Sequence, residues 1–341
     1  MSKLVFLIEN KFTYFYHMIL NIFRHNQTTS IAFILSLCVF IWMGISFGSL
    51  DMVEESSSFF YNFLISPIES KPLLQRAFLG ILIFWQCMLM NKMMVQEKII
   101  SNNSFFPALF YFLLISISPE IIHINPTILS MVLLILALTK ILSSYLDKNA
   151  YSKVFKSAFL ISLAGIIHTP FIIFIPIVWI GMSIFSQVEW RHWVLSIIAI
   201  ICPWYIMFSI ATFYSIEHSS LSSSLLFLIE EGPKYSLNLS DFLGLIIYGF
   251  ICSIAVIELM IRLKQKNIKA RKSYILLLWI IPFSVIYFLV SNDFFYMKLI
   301  ISAIPLSAAI SNYFYHHKKT NWLNFLILSL VIVVISNHLL G

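Results

Sequence analysis

Three carboxylates stand close together in the stretch Asp51-Met-Val-Glu54-Glu55. Offsets of three and four residues put Asp51, Glu54 and Glu55 on one face if this stretch is helical. The aromatic run Phe59, Phe60, Tyr61 and Phe63 continues it, followed by Pro67, Glu69, Lys71, Pro72 and Arg76. Carboxylates presented at a membrane surface can deprotonate an acceptor hydroxyl or hold a divalent cation. Lys71 and Arg76 carry the charge that a nearby lipid phosphate requires. A solvated acidic loop would have the same composition, so both readings stay open.

A second set lies in the stretch 215–241, which holds Glu217, His218, a serine-rich run and then Glu230-Glu231-Gly-Pro-Lys234-Tyr235. Its apolar centre, Leu225 to Ile229, suits a short interfacial helix that Gly232-Pro233 would end. Loops this long between spans serve binding more often than connection. Glu120 and His123, at i and i+3, could chelate, although one such pair is a weak metal signal. His168, in His-Thr-Pro, most simply marks a tight turn before Pro170. No GxGxxG, Walker, HExxH or GxSxG context occurs.

These groups need elements to position them, and composition says what those elements are. Of 341 residues, 60% are hydrophobic and 11% charged, with a mean hydropathy of +0.91. A soluble domain carries about a quarter charged residues, so water is not the solvent for most of this surface. Apolar stretches at 31–50, 76–92, 105–118, 127–146, 154–169, 171–186, 194–214, 242–261, 273–291, 296–314 and 321–339 are the expected spans. The expected fold is all-α: a polytopic bundle of about eleven transmembrane helices, N-terminus inside and C-terminus outside. Residues 1–30 precede it as an amphipathic interfacial helix, with Glu9, Thr13, His17, Asn21 and Arg24 opposite Leu4, Ile8, Phe12, Phe15, Ile19 and Ile22. Residues 31–341 then form one transmembrane domain with outer loops at 51–75 and 215–241. The N-terminal segment lacks the basic region and small-residue site of a cleavable signal peptide. Cys38, Cys87, Cys202 and Cys252 all lie in apolar runs without CxxC spacing, as buried thiols do.

Charge placement tests that topology independently of hydropathy. With the N-terminus inside, 18 of the 22 basic residues fall on the cytoplasmic side, and only Lys71, Arg76, Lys234 and Lys298 fall outside. Five acidic residues lie inside and ten outside, so the two sides carry +13 and −6. The net charge of +7 is thereby a topology signal, with no nucleic-acid partner required. The run from Arg262 to Lys272 and His316-His317-Lys318-Lys319 read as inner anchors and anionic-lipid contacts.

The central block, Phe106-Pro107-Ala108-Leu109, Ser118-Pro119-Glu120 through Asn125-Pro126, Lys153 to Phe159, Gly165, Pro170, Trp190-Arg191-His192-Trp193 and Pro203, resembles an uncharacterised family of bacterial polytopic inner-membrane proteins over residues 100–215. That family implies no activity. The layout as a whole more distantly resembles the lipid-dependent glycosyltransferases of the C-type superfold. The resemblance implies that an acidic residue just after the first span acts as base or metal ligand, a position matched by Asp51 with Glu54 or Glu55 as substitutes. This chain departs from them at Asp51, which has no acidic neighbour, and in being expected to carry no C-terminal periplasmic domain.

The leading expectation is therefore a glycosyltransferase-like protein of the bacterial inner membrane that uses a polyprenyl-phosphate-linked donor at the periplasmic face. Asp51, Glu54 and Glu55 would be catalytic, with a divalent cation as a cofactor that they could hold. Lys71, Arg76, Glu120, His123, Glu230, Glu231 and Lys234 would bind substrate. A non-catalytic scaffold subunit that meets an envelope protein partner is the alternative, and a lipid or glycan carrier the third.

Overall fold

A computed structural model describes residues 29–36, 61, 65, 71–100, 104–117, 124–147, 150–185, 189–213, 239–291, 293, 295–316 and 326–334. Asp51, Glu54, Glu55, Glu120, His123, Glu230, Glu231 and Lys234 lie outside them, as do nearly all of the expected interfacial helix and most of both outer loops. Among the described residues there is helix and no strand.

In chain order the helices are α1 (Pro72–Gln96), α2 (Phe106–Ile115), α3 (Pro126–Ser143), α4 (Tyr151–Ile167), a 3-10 segment (Thr169–Phe174), α5 (Ile175–Phe185), α6 (Trp190–Phe213), α7 (Leu239–Arg262), α8 (Ile268–Val290), α9 (Phe295–Ile300) and α10 (Ala303–His316). A 3-10 turn, Leu263–Gln265, follows α7, and residues 29–36 and 326–334 are also helical. Leu74–Gln96, Pro126–Ser143, Trp190–Ile210 and Ile268–Val290 are long and apolar enough to cross a membrane. This is a helical membrane protein.

Local chemistry explains most boundaries. Proline opens α1, α2 and α3 at the first or second position, where its missing N–H removes no helical hydrogen bond. Helix α1 closes in a Schellman arrangement, with Ile99 N–H donating to Met94 O at 3.0 Å and Lys98 N–H to Val95 O at 3.0 Å. Lys98 holds the left-handed position at φ 55, which usually falls to glycine. The expected span at 296–314 is broken into α9 and α10 at Ile301–Ser302. Pro305 accounts for the break: it has no N–H for Ile301 O, and its ring crowds that carbonyl. Ile304 N–H turns back to Ile301 O at 3.3 Å instead.

Two groups of helices pack together. In one, α4 lies between α3 and α6, offering the small buried residues Ser157, Ala158, Ser162, Ala164 and Gly165 so that backbones approach closely. Ser130 Oγ donates to Ala164 O at 3.1 Å and Ser162 Oγ to Ile200 O at 2.6 Å, locking both contacts. In the other, α2 is buried on every side, as an all-apolar helix must be, against α1 and α10, while α7 covers α10. Helix α8 joins the groups through α5, the 3-10 segment and α10.

Apolar side chains also cover much of the outside of the described helices. Trp193, Ile197, Ile201, Tyr205 and Phe208 of α6 are exposed, as are Ile246, Phe250 and Ile257 of α7 and Trp279, Val285 and Leu289 of α8. Rows of exposed aliphatic and aromatic side chains on neighbouring helices suit hydrocarbon rather than water. Charges collect at the end where α3 finishes. There Lys153 pairs with Asp147 at 2.7 Å and donates to Ser143 O, Lys272 donates to Ile184 O, and Lys269 pairs with Glu97 at 2.8 Å. Lys153 and Lys272 thus reach carbonyls in the last turns of α3 and α5, where the helix dipole favours cations.

Gly181 of α5 faces Ile141 of α3 and Leu276 of α8, and a Cβ there would run into Ile141 Cγ2. Gly181→Val should therefore lower stability by about 1–3 kcal/mol through overpacking. Gly249→Ala on α7, where nothing lies within 4 Å of the added carbon, should be neutral or stabilising by up to about 1 kcal/mol. Thermal unfolding of the two variants in one detergent checks the contrast.

Candidate functional site

At the other end of the bundle, where α3 begins and α4 and α8 finish, four polar side chains meet in an apolar setting. Thr127 stands in the first turn of α3 beside Pro126. His168 caps the C-terminus of α4, its N–H donating to Ala164 O at 2.8 Å. Tyr287 is in the last turn of α8, and Asp293 follows in the short connection to α9. Their exposures are 1%, 4%, 0% and 5%, so bulk water satisfies none of them.

Asp293 Oδ2 is the hub. It accepts from the Tyr287 hydroxyl in a short hydrogen bond, lies 3.0 Å from His168 Nε2, and accepts from Thr127 Oγ1 in a long contact of 3.4 Å. His168 Nε2 is also 2.8 Å from the Tyr287 oxygen. Since the tyrosine gives its proton to the carboxylate, its oxygen can only accept from the histidine. These partners assign the proton to Nε2 of His168. Burial alone would raise the carboxyl pKa of Asp293. The His168 charge and hydrogen bond, the Tyr287 hydroxyl and the more distant Lys298 outweigh that and hold it below the usual carboxylate value.

The walls are aromatic for a geometric reason. In a 3-10 helix, residues three apart eclipse one another. Phe171 and Phe174 therefore stack along one side of the 3-10 segment, their centroids 5.6 Å apart. Both are fully buried against Tyr287, at centroid distances of 5.5 and 6.1 Å. Pro170 opens that segment, and Phe171 N–H donates to His168 O at 3.0 Å. Gly165 lets the segment fold back onto α4, since a Cβ there would sit 2.8 Å from Ile172 Cγ1. Beside the cluster, buried Gln86 of α1 donates to Ile128 O at 2.7 Å and accepts from Tyr111 of α2 at 3.0 Å. The Tyr61 hydroxyl donates to Ile124 O.

Of the residues expected from the sequence to be catalytic or to bind substrate, Lys71 and Arg76 are the ones placed. Lys71 is exposed at the N-cap of α1 and Arg76 is partly buried one turn on. Gln86 stands level with the start of α3, and Arg76 precedes it by ten residues, or roughly 15 Å of helix. The two cations thus lie beyond the cluster at the same end of the bundle, without entering it. Among the described residues, no group of three or more His, Cys, Asp or Glu converges to hold a metal ion. Compared with family models, curated proteins and solved structures, the chain matches none.

His168 was visible in the sequence as a turn residue, whereas Thr127, Tyr287 and Asp293 carried no motif. The usable signal was scarcity: His168 and Asp293 are ionisable groups in connections flanked by apolar runs, and a buried charge needs a partner.

Removing one member should leave the others buried and unsatisfied. Asp293→Ala should cost about 1–3 kcal/mol, because buried donors lose their acceptor. The ionised carboxylate stabilises the fold fully above its ordinary, unfolded pKa of 3.8, and that contribution is lost as pH falls through the lower folded value. Wild type should therefore lose thermal stability in acid over a range that Asp293→Asn lacks, as pH-resolved melting curves would show.

Proposed function

We propose that this chain is a polytopic protein of the bacterial inner membrane, with about eleven spans, its N-terminus inside and its C-terminus outside. On this reading it transfers a sugar from a polyprenyl-phosphate-linked donor to an acceptor at the periplasmic face. The charge count by loop supports that orientation, and with it the Thr127, His168, Tyr287 and Asp293 end of the bundle is periplasmic. The observation that carries the proposal is the convergence of a carboxylate, an imidazole and a phenol from α4, α8 and the connection after α8 at that end. Charged and polar groups cost too much inside an apolar bundle to persist without use.

Within this reading Asp51 is the base or holds a divalent cation, and Glu54 and Glu55 support it. Lys71 and Arg76, standing beyond the cluster, meet donor phosphates, while Glu120, His123, Glu230, Glu231 and Lys234 contact acceptor and donor as the 215–241 loop closes. His168 and Asp293 are positioning residues: nine-tenths buried, they hold the ends of α4 and α8 in place. That same burial favours the second reading, a non-catalytic scaffold subunit with an envelope protein partner. The exposed apolar face of α6, including Trp190 and Trp193, is where that partner would pack.

Replacing Asp51, Glu54 and Glu55 together by alanine should abolish a change in envelope glycans that deletion of the protein also causes. Normal protein levels with unchanged glycans would sink the enzyme reading, and a stoichiometric partner co-purifying with the triple variant would then establish the scaffold. His168→Gln should reduce turnover through geometry, lowering protein stability in parallel.

A further inference from the structure

The end of the bundle opposite His168 contains a cavity of about 310 Å³, lined by Lys98, Ile99, Ile100, Lys266, Asn312, Tyr315 and His316. Its volume falls at the lower edge of the roughly 300–1,000 Å³ range of small-molecule sites. Three separate elements build it: the turn that ends α1, the turn between α7 and α8, and the last turns of α10. Each brings at least one nitrogen donor, and the lining holds no carboxylate.

The acids nearby are engaged elsewhere. Glu97, next to Lys98, pairs with Lys269 at 2.8 Å, and Glu258 pairs with Arg262 at 2.6 Å. Among the described residues no carboxylate forms an ion pair with Lys98 or Lys266. Lys266 instead donates to the Asn312 side-chain oxygen in a short hydrogen bond, and its Nζ lies 2.9 Å from His316 Nε2 and 5.4 Å from the centroid of the Tyr274 ring. Burial, with Arg262 alongside, lowers the Lys266 pKa to about 8. Neutral partners and a half-buried ammonium leave positive charge in the cavity at neutral pH.

Asn312 adds an independent sign. Its oxygen must face the Lys266 ammonium, because the reversed amide would point N–H groups at a cation. Its Nδ2 is thereby fixed as a donor, and it is buried without a hydrogen-bond partner in a residue only 1% exposed. Buried donors are nearly always satisfied, so an orphaned one asks for an acceptor. Complementing the helix C-termini would explain cations here, but it explains neither the cavity nor the unmet amide.

We propose that this cavity is an anion site that takes a phosphate ester, held by Lys98 and Lys266 and hydrogen-bonded by Asn312 Nδ2. A phosphate oxygen accepts from several donors at once, as the cluster requires. The chemistry is shared by the headgroup of an anionic phospholipid and by free phosphate. The position at the end of an apolar bundle, with Ile99 and Ile100 in the wall, brings the lipid headgroup within reach. This site is independent of the transferase reading and lies at the opposite end of the bundle from it.

The test uses the full-length protein in nanodiscs of phosphatidylcholine, titrated with phosphatidylglycerol or with inorganic phosphate, and reads thermal stabilisation and bound lipid by native mass spectrometry. Lys98→Gln with Lys266→Gln should weaken phosphatidylglycerol binding by about tenfold or more. Lys264→Gln, in the same loop but outside the cavity, should leave it unchanged. Lys98→Gln alone changes an exposed side chain and keeps the test valid if the double variant misfolds. Stabilisation by phosphatidylglycerol alone identifies a lipid site, and equal stabilisation by inorganic phosphate identifies a soluble anion. No stabilisation by either, or equal losses in Lys98→Gln and Lys264→Gln, overturns the proposal.

Discussion

A single carboxylate, removed from water, governs one end of this molecule. Asp293 can stay charged at 5% exposure because it is met by a phenol, an imidazole and a hydroxyl. Those groups belong to the last turn of α8, the end of α4 and the first turn of α3. Satisfying one oxygen therefore fixes the relative position of three helices that hydrophobic packing alone would let slide. Hydrocarbon supplies no replacement donor, so the arrangement is close to all-or-none.

The surrounding architecture follows from that demand. Phe171 and Phe174 exclude water from the cluster because a 3-10 segment stacks them on one side, and Gly165 permits that segment to lie against α4. Ser130 and Ser162 tie α4 to α3 and α6 through backbone carbonyls, interactions that need no partner side chain of matching shape. The far end is organised by different physics. Lysines there neutralise terminal carbonyls and two carboxylates, Asp147 and Glu97, and a cavity remains where the cations outnumber their partners. Helix α8 belongs to both ends, with Tyr287 in its last turn and Lys269 and Lys272 in its first.

Much of the helical framework between residues 76 and 314 was legible in the chain. Apolar runs of near-spanning length have one stable form without water, and prolines mark where they start. The break at Ile301–Ser302 was equally present in Pro305, but mean apolarity over a window hides a single missing N–H. The 3-10 start of the 171–186 stretch was hidden likewise, since Thr169 to Phe174 is as apolar as an α-helix would be. For the site, sequence reasoning favoured dense acidic stretches, whereas the buried cluster uses one acid, one histidine and two hydroxyls from distant positions. Sequence separations of 119 between His168 and Tyr287 and 166 between Thr127 and Asp293 leave no local pattern.

By itself the sequence determined that the chain is helical and embedded in a membrane, because composition decides which solvent a surface can face. It also determined the spacing of basic and acidic residues along the chain. Tertiary structure alone decided which polar groups meet. His168 became part of a charge network rather than a simple turn because α8 delivers Tyr287 and Asp293 to it. Lys266 and Asn312 became a cavity wall because α7 and α10 end where α8 begins. A buried polar group takes its chemistry from its neighbours in space, and those are set only when the helices pack.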